Sequence, residues 1–133
     1  MLVRDIMNRD VLTIEPDISL QEAAMLMIDN HVGSLVVLKG NRIAGMLTER
    51  DFIRFFAEGS QMKAAKVRDA MTNYVITVSV NANIKTAIQL LNQHAIKKLP
   101  VLDGDRLAGI VTSTDIVRAN PRMLKDMSVL GRK

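Results

Sequence analysis

The sequence contains no cysteine and very few aromatic side chains. Without cysteine there is no thiolate nucleophile, no thiolate metal site and no sign of an oxidising compartment, so we expect a cytoplasmic protein. Three Phe, one Tyr and no Trp are few stacking surfaces for a single-strand nucleic-acid binder. The apolar runs are short, and the N-terminus lacks a basic region followed by an apolar core, so no membrane association or secretion is expected.

The remaining composition is that of a folded chain with a modest basic excess. Hydrophobic residues make up 48% and charged residues 24% of the 133 residues, which is typical of globular domains. The length fits one ordinary domain, or two half-domains that share a core, with no room for a separate catalytic domain. A net charge of +4 favours an anionic partner but does not separate nucleic acid from a phosphate-bearing ligand.

The dominant feature is an internal repeat. Residues 3–54 align without a gap on residues 67–118, with 18 identities in 52 positions. Val-Arg-Asp-Ile-Met at 3–7 recurs as Val-Arg-Asp-Ala-Met at 67–71, and Gly-Met-Leu-Thr-Glu-Arg-Asp at 45–51 recurs as Gly-Ile-Val-Thr-Ser-Thr-Asp at 109–115. Two copies are too few for a solenoid, so we expect them to pack about a pseudo-twofold axis, with ligand sites in the clefts between them.

Each copy carries the local signals of a β-α-β-β-α unit. In the first copy, residues 11–14 predict a strand, Ser19 and Glu22 suggest a capping box before an amphipathic helix, and residues 35–47 predict a hairpin. A second helix is expected from about Glu49 to Phe56. The predicted fold is α/β, with one unit in residues 1–60, a linker at 57–66 and a second unit in residues 67–120. In the tail, 121–133, a short helix is predicted from the apolar residues Met123, Leu124, Met127 and Leu130.

Thr48-x-x-Asp51 and Thr112-x-x-Asp115 lie where a strand is expected to become a helix. As capping residues, the threonine hydroxyl accepts a backbone N–H and the aspartate suits the helix dipole. As ligand residues, the carboxylate accepts both hydrogens of a ribose diol while the helix N-terminus faces phosphate. The spacing alone favours capping, and both interpretations are compatible for the threonines.

The order of these motifs, doubled at one spacing over about residues 1–120, resembles the cystathionine β-synthase (CBS) domain. The resemblance implies a stand-alone tandem pair that forms one module, often a homodimer, and regulates an unknown partner protein without catalysing a reaction. It implies an adenosine-containing ligand, with AMP, ADP or ATP as first choice and S-adenosylmethionine or NAD as alternatives. It also assigns ribose to the aspartate of each Thr-x-x-Asp motif.

The resemblance implies two ligand sites, of which the second is better equipped for phosphate. The second copy carries Lys97 and Lys98 where the first copy has Gly33 and Ser34. The preferred site comprises Asp115, Thr112, Thr114, Lys97, Lys98, Ile6, Val11 and Val32. The other comprises Asp51, Thr48, Arg50, Ala70, Val75 and Ile96. Without the resemblance, core packing is the favoured interpretation of each apolar member and a solvated surface that of the basic members.

Other chemistry has little support in the sequence. His31 and His94 are not equivalent in the repeat and have no second ligand at metal-binding spacing. The chain shows no nucleophile with a positioned base and no Gly-Lys-Ser/Thr phosphate loop. We therefore expect neither an enzyme nor a metal site. Two alternatives stay open: a structural dimerisation module without a ligand, and a nucleic-acid binder whose affinity falls steeply with salt.

Overall fold

The computed structural model describes residues 1–59 and 61–127 and divides the chain into two compact units. Residues 12–75 form one, here called the Asp51 unit. Residues 1–11 and the chain from residue 76 onward form the other, here called the Asp115 unit. Each opening segment therefore packs with the opposite copy of the repeat: residues 1–11 with the second copy, and residues 67–75 with the first.

The Asp51 unit is built on a three-stranded sheet with the strand order β1-β2-β3. Its elements are β1 (Thr13–Ile14), α1 (Leu20–Asp29), β2 (Ser34–Lys39), β3 (Arg42–Thr48), α2 (Glu49–Ala57) and the short α3 (Val67–Ala70). β1 runs parallel to β2, whereas β2 and β3 form an antiparallel hairpin. Gly40 takes a positive φ in the tight hairpin turn, which glycine adopts without steric cost. The buried core consists of Leu20, Ala23, Met27, Leu35, Val37, Leu47, Ala65, Val67 and Ala70.

The Asp115 unit repeats this order after a 3-10 helix at Val3–Asp5. Its elements are β4 (Val78–Ser79), α4 (Ile84–His94), β5 (Lys98–Asp103), β6 (Arg106–Thr112), α5 (Ser113–Ala119) and a second 3-10 helix at Pro121–Asp126. The sheet has the order β4-β5-β6, with β4 parallel to β5. The predicted α/β class and the two β-α-β-β-α units are thus confirmed.

The structure refines the sequence prediction in three places. The strand expected at 11–14 begins only at Thr13 and ends at Ile14, although the Val36 amide of β2 also donates to the Leu12 carbonyl at 3.4 Å. The segment 57–66 contributes to the fold, since Ala65 is buried in the core of the Asp51 unit. In the tail, where a short helix was predicted, Pro121–Asp126 form a 3-10 helix, and Leu130 lies outside the described residues.

The repeated Val-Arg-Asp motif attaches each opening segment to the opposite copy. In the Asp115 unit, Val3 is fully buried and its amide donates to the Ala82 carbonyl at 2.8 Å. In the Asp51 unit, Val67 is fully buried and its amide donates to the Ile18 carbonyl at 2.9 Å. The arginine of the motif reaches the loop after the first strand in both units, pairing Arg4 with Asn81 and Arg68 with Asp17. The recurrence of this motif is therefore structural.

A second backbone contact holds each opening segment against the sheet. Asn8 exchanges two backbone hydrogen bonds with β6, at 2.8 and 2.9 Å, and Thr72 exchanges two with β3, at 2.9 and 3.0 Å. A Cβ at Gly109 would lie 2.7 Å from the Asn8 carbonyl oxygen, and one at Gly45 would lie 2.7 Å from that of Thr72. Only glycine fits so close a backbone approach. The contact brings Asn8 and Thr72 near the two Thr-x-x-Asp junctions.

We predict that a fragment of residues 1–60 will not fold as a soluble monomer. It lacks Val67 and Ala70, which belong to the core of the Asp51 unit, and it leaves Val3 without the residues that bury it. A fragment of residues 12–75 keeps that whole core and is the matched control, so it should show the stronger protection of amide hydrogens against exchange. A monomeric 1–60 fragment with a cooperative thermal transition would contradict the crossed packing.

Candidate functional site

In the Asp51 unit, β3 runs directly into α2 through Thr48-x-x-Asp51. The Thr48 hydroxyl accepts from the Asp51 amide at 3.3 Å, and Asp51 Oδ2 accepts from the Thr48 amide at 2.8 Å. These reciprocal bonds form a capping box, which satisfies two backbone donors at the start of the helix. The capping interpretation is therefore confirmed for both residues.

The Asp51 carboxylate is enclosed by its own chain. Asp51 is 2% exposed, and its Oδ2 also accepts from the Thr48 hydroxyl at 3.1 Å. Oδ1 accepts from Arg54 Nη2 at 2.9 Å and from Thr72 Oγ1 at 3.2 Å. The same Arg54 nitrogen donates to the Ala70 carbonyl at 3.1 Å. Both carboxylate oxygens of Asp51 thus have protein partners.

Sequence reasoning missed Arg54 and Thr72. Arg54 stands three residues after Asp51, a spacing that places two side chains on the same face of a helix. Thr72 follows directly after the repeated opening motif. Its relevance depends on the backbone contact with β3, which the alignment of the two copies does not reveal.

The equivalent carboxylate of Asp115 is open on one side. The capping box is the same: Oδ2 accepts from the Thr112 amide at 2.9 Å, and the Thr112 hydroxyl accepts from the Asp115 amide at 3.1 Å. Asp115 is only half-buried. Across residues 1–59 and 61–127, no donor forms a hydrogen bond with Asp115 Oδ1. This oxygen is available to a ligand.

One substitution and one different side-chain contact account for the difference. The position of Thr72 is taken by Asn8, whose side-chain oxygen accepts from the Asp10 amide at 2.9 Å. The position of Arg54 is also an arginine, Arg118, but Arg118 is exposed and forms neither a hydrogen bond nor an ion pair with Asp115 in the described part of the chain. The same backbone therefore presents a closed carboxylate in one unit and an open one in the other.

The two lysines of the preferred site lie at the Asp115 junction. Lys98 is the register partner of Thr112 in the β5–β6 hairpin, and the Lys97 carbonyl accepts from the Ser113 amide at 2.9 Å. Lys97 is exposed and Lys98 is half-buried. Two cationic side chains and an open carboxylate oxygen are thus carried by one strand-to-helix junction.

The other candidate residues fall into two groups. Thr114 and Arg50 are exposed in the first turns of α5 and α2. The apolar candidates are buried or half-buried, Ile6 and Ile96 against the core of the Asp115 unit, and Val32 and Ala70 in that of the Asp51 unit. Val11 and Val75 are half-buried, and they are the last residues of the ranges 1–11 and 12–75. Of the preferred set, Val32 alone belongs to the Asp51 unit, and of the other set, Ile96 alone belongs to the Asp115 unit.

The basic excess of the chain falls entirely on the sequence of the Asp115 unit. Residues 1–11 and 76–133 contain 11 Lys and Arg against 6 Asp and Glu, whereas residues 12–75 contain 7 against 8. The unit with the open carboxylate is therefore the one whose charge attracts anions.

An apolar groove of about 450 Å³ lies between α1 and α2 of the Asp51 unit. Its lining includes Met27, Ile28, Phe52 and Ile53 but neither Thr48 nor Asp51. Ile28 is 64% exposed and Ile53 is 68% exposed, unusual values for large apolar side chains on neighbouring helices. The groove adjoins the strand-to-helix junction through Gly33 and Glu49 but does not include the capping residues.

The histidines take ordinary surface positions. His31 and His94 are both exposed near the ends of α1 and α4. Within the described ranges, no three His, Asp or Glu side chains are grouped so that they could hold a metal ion. In the same ranges, no helix is long and apolar enough to cross a membrane.

The comparison with known proteins agrees with the repeat and the fold. The CBS domain model matches residues 3–58 and 67–122. The CBS domain-containing protein YhcV of Bacillus subtilis is 36% identical over 115 residues, which are 86% of this chain and 81% of that protein. The chain belongs to the CBS domain family and contains two CBS domains.

Three further relatives bear on function. The solved CBS domain pair of protein MJ0100, in complex with 5'-methylthioadenosine and S-adenosyl-L-methionine, is 28% identical with a TM-score of 0.80, covering 92% of this chain and 97% of that one. A hexameric CBS-CP12 protein from bloom-forming cyanobacteria is 26% identical with a TM-score of 0.76, covering 88% of this chain and 66% of that one. Inosine-5'-monophosphate dehydrogenase of Thermoplasma acidophilum is 36% identical over 84% of this chain, but the match spans only 22% of that enzyme.

Proposed function

We propose that this chain is a non-enzymatic regulatory module that binds an adenosine-containing ligand at Asp115. An adenine nucleotide, AMP first, is the preferred ligand, with S-adenosylmethionine and NAD as alternatives. The observation that carries the proposal is the open Oδ1 of Asp115 beside Lys97 and Lys98. The adenosyl ligands of the related MJ0100 pair support the choice of ligand class.

The capping box prepares Asp115 to accept a ribose diol. Its Oδ2 is fixed by the Thr112 amide at 2.9 Å, so the carboxylate plane is set before a ligand arrives. A diol presents two O–H donors, and an ionised carboxylate is an acceptor with several lone pairs. A preorganised acceptor loses little conformational freedom on binding, and this favours affinity.

The lysines supply the charge that a phosphate needs. Each ammonium offers three donors and a positive charge, and Lys97 and Lys98 are held beside Thr112 and Ser113 by the β5–β6 hairpin. Because Lys97 is exposed and Lys98 half-buried, their attraction to phosphate is partly screened by water and salt. We therefore propose that the two lysines give selectivity for phosphorylated ligands, whereas Asp115 provides the affinity for the ribose that all adenosine-containing ligands share.

Regulation would follow from a shift of population. A ligand stabilises the arrangement of the chain that it binds best, and the difference in affinity between arrangements sets the limit of the shift. The regulated partner would then recognise one arrangement more strongly than the other.

We predict that Asp115→Asn weakens AMP binding by well over about tenfold, because the asparagine amide presents a donor where the ribose needs an acceptor. The fold should persist, since asparagine also hydrogen-bonds locally at helix starts. Titration calorimetry on both proteins measures the change. Unchanged AMP affinity in Asp115→Asn would show that Asp115 only caps the helix.

The ligand class is tested on the native chain by its melting temperature. If AMP, ADP, ATP, S-adenosylmethionine and NAD all failed to raise the melting temperature of the native chain, the structural dimerisation module would be favoured instead.

We predict that Lys98→Ala weakens AMP by about fivefold and leaves adenosine nearly unchanged, because only the phosphate interacts with the ammonium. Lys85→Ala, an exposed lysine on α4, is the matched control and should change neither affinity. Raising the salt concentration should reduce the preference for AMP more in the native chain than in Lys98→Ala, which keeps only Lys97. Equal losses for AMP and adenosine in Lys98→Ala would contradict the phosphate contact.

We further propose that the partner of the apolar groove is a second copy of the chain. The groove is flanked by α1 and α2, whose exposed side chains include Ile28, Ile53 and Phe56, the last 73% exposed. Among the lining residues of this groove, Glu49 is the one acid and there is no Lys or Arg, so a mainly apolar surface would meet its own copy in an isologous contact. The hexameric relative supports self-association in the family.

We predict that the native chain is a homodimer of twice its 14.8 kDa mass and that Ile53→Lys makes it monomeric. Ile53 lines the groove and is 68% exposed, so a charge at this position would be buried in an apolar contact. Tyr74→Lys is the control, since Tyr74 is 79% exposed and does not line the groove. Light scattering coupled to size-exclusion chromatography measures both variants. A native chain that stays monomeric at all practical concentrations would reject the proposal.

A further inference from the structure

We propose that Asp51 is a structural clasp closed by Arg54 and Thr72, and that Arg54 excludes a nucleoside from this second carboxylate. One chain would then take up one adenosine ligand, at Asp115. The count of ligands rests on the proposed function, whereas the clasp is a property of the protein alone.

The contacts of Asp51 leave no acceptor free for a ligand. The Asp51 side chain is 4% exposed and accepts four hydrogen bonds. Thr48 donates two of them, one from its backbone amide and one from its hydroxyl, and the side chains of Arg54 and Thr72 donate one each. The two bonds from Arg54 and Thr72 both end on Oδ1. This is the oxygen that stays open in the equivalent Asp115.

Arg54 occupies two of the polar groups that a nucleoside would need. Its Nη2 donates to Asp51 Oδ1 at 2.9 Å and to the Ala70 carbonyl at 3.1 Å. Asp51 is the expected partner of the ribose, and the backbone at Ala70 is the expected partner of the base. A guanidinium tethered three residues away on α2 competes with a ligand at a high effective concentration. The clasp therefore excludes nucleosides by occupancy, without a change of backbone.

The clasp also has a structural task. It ties α2, through Arg54, to the end of α3 at Ala70 and to the Thr72 contact with β3. Asp51→Asn would place an amide donor among the donors of Thr48, Arg54 and Thr72 at a side chain that is only 4% exposed. A buried polar group without a partner is destabilising. Asp115 lacks the bonds that Arg54 and Thr72 make at Asp51, so its loss should matter much less to the fold.

Local charge opposes a phosphate at the closed junction. Gly33 and Ser34 replace the two lysines, and a Cβ at Gly33 would lie 2.9 Å from Glu49 Oε1. The position that offers cations in the Asp115 unit thus faces a carboxylate in the Asp51 unit. A nucleotide would meet repulsion there as well as occupancy.

The first arm of the test uses no ligand. Asp51→Asn and Asp115→Asn are compared by urea denaturation of the full chain, and Asp51→Asn should lower the folding equilibrium constant at least about tenfold more than Asp115→Asn. Equal losses in the two variants would overturn the clasp. If Asp51→Asn does not fold at all, Thr72→Val replaces it, with Asn8→Leu as its counterpart.

The second arm counts ligands by calorimetry. The native chain and Arg118→Met should each bind one adenosine per chain. Arg54→Met should bind a second, because the Ala70 carbonyl loses its donor and Asp51 Oδ1 keeps only the Thr72 hydroxyl. Two adenosines bound by the native chain, or only one bound by Arg54→Met, would overturn the exclusion. If none of these proteins binds adenosine or AMP, the proposed function fails, and the clasp is decided by the denaturation arm.

Discussion

Each unit depends on a short backbone contact between the opening segment of one copy and the hairpin of the other. Asn8 pairs with β6 and Thr72 with β3 through two hydrogen bonds each, and the approach leaves no space for a Cβ at Gly109 or Gly45. Because the contact lies just ahead of the strand-to-helix junction, it determines which side chain reaches the capping aspartate. The packing of the opening segment and the properties of the candidate site therefore have a common origin.

The capping box explains why one motif can serve both stability and binding. A carboxylate has two oxygens, and the box engages only Oδ2 with the backbone amide of the threonine. The hydrogen bonds of the second oxygen, Oδ1, depend on the neighbouring side chains. At Asp51 these are Arg54 and Thr72, and the oxygen is enclosed, whereas at Asp115 the counterparts do not reach it. Capping and ligand binding are thus not alternatives at Asp115, since they use different atoms of one side chain.

The repeat alone was enough to predict the α/β class, the hairpins and the helix caps at Ser19, Thr48 and Thr112, because these depend on local periodicity and on spacing within one copy. At Ser19 the predicted capping box is only half formed, since Ser19 accepts from the Glu22 amide and no return bond is formed within the described residues. The crossed packing was not predictable in this way. A gapless alignment is equally consistent with Val3 being buried in its own copy or in the other. Arg54 and Arg118 are likewise identical in the repeat, so the sequence does not reveal which of them reaches a carboxylate. The exchange of Thr72 for Asn8 was visible, but it gained meaning only from its position beside the junction.

A single ligand per chain would limit how steeply the module responds. One site stabilises the bound arrangement by about 2.7 kcal/mol when the ligand is at about 100 times its dissociation constant, and one site alone gives no cooperativity. A steeper response would require copies of the chain to be coupled through an interface. The apolar groove that we assign to a second copy lies on α1 and α2 of the Asp51 unit, whereas the open carboxylate belongs to the Asp115 unit. Closing one carboxylate would then leave that unit free to specialise in assembly while the other specialises in recognition.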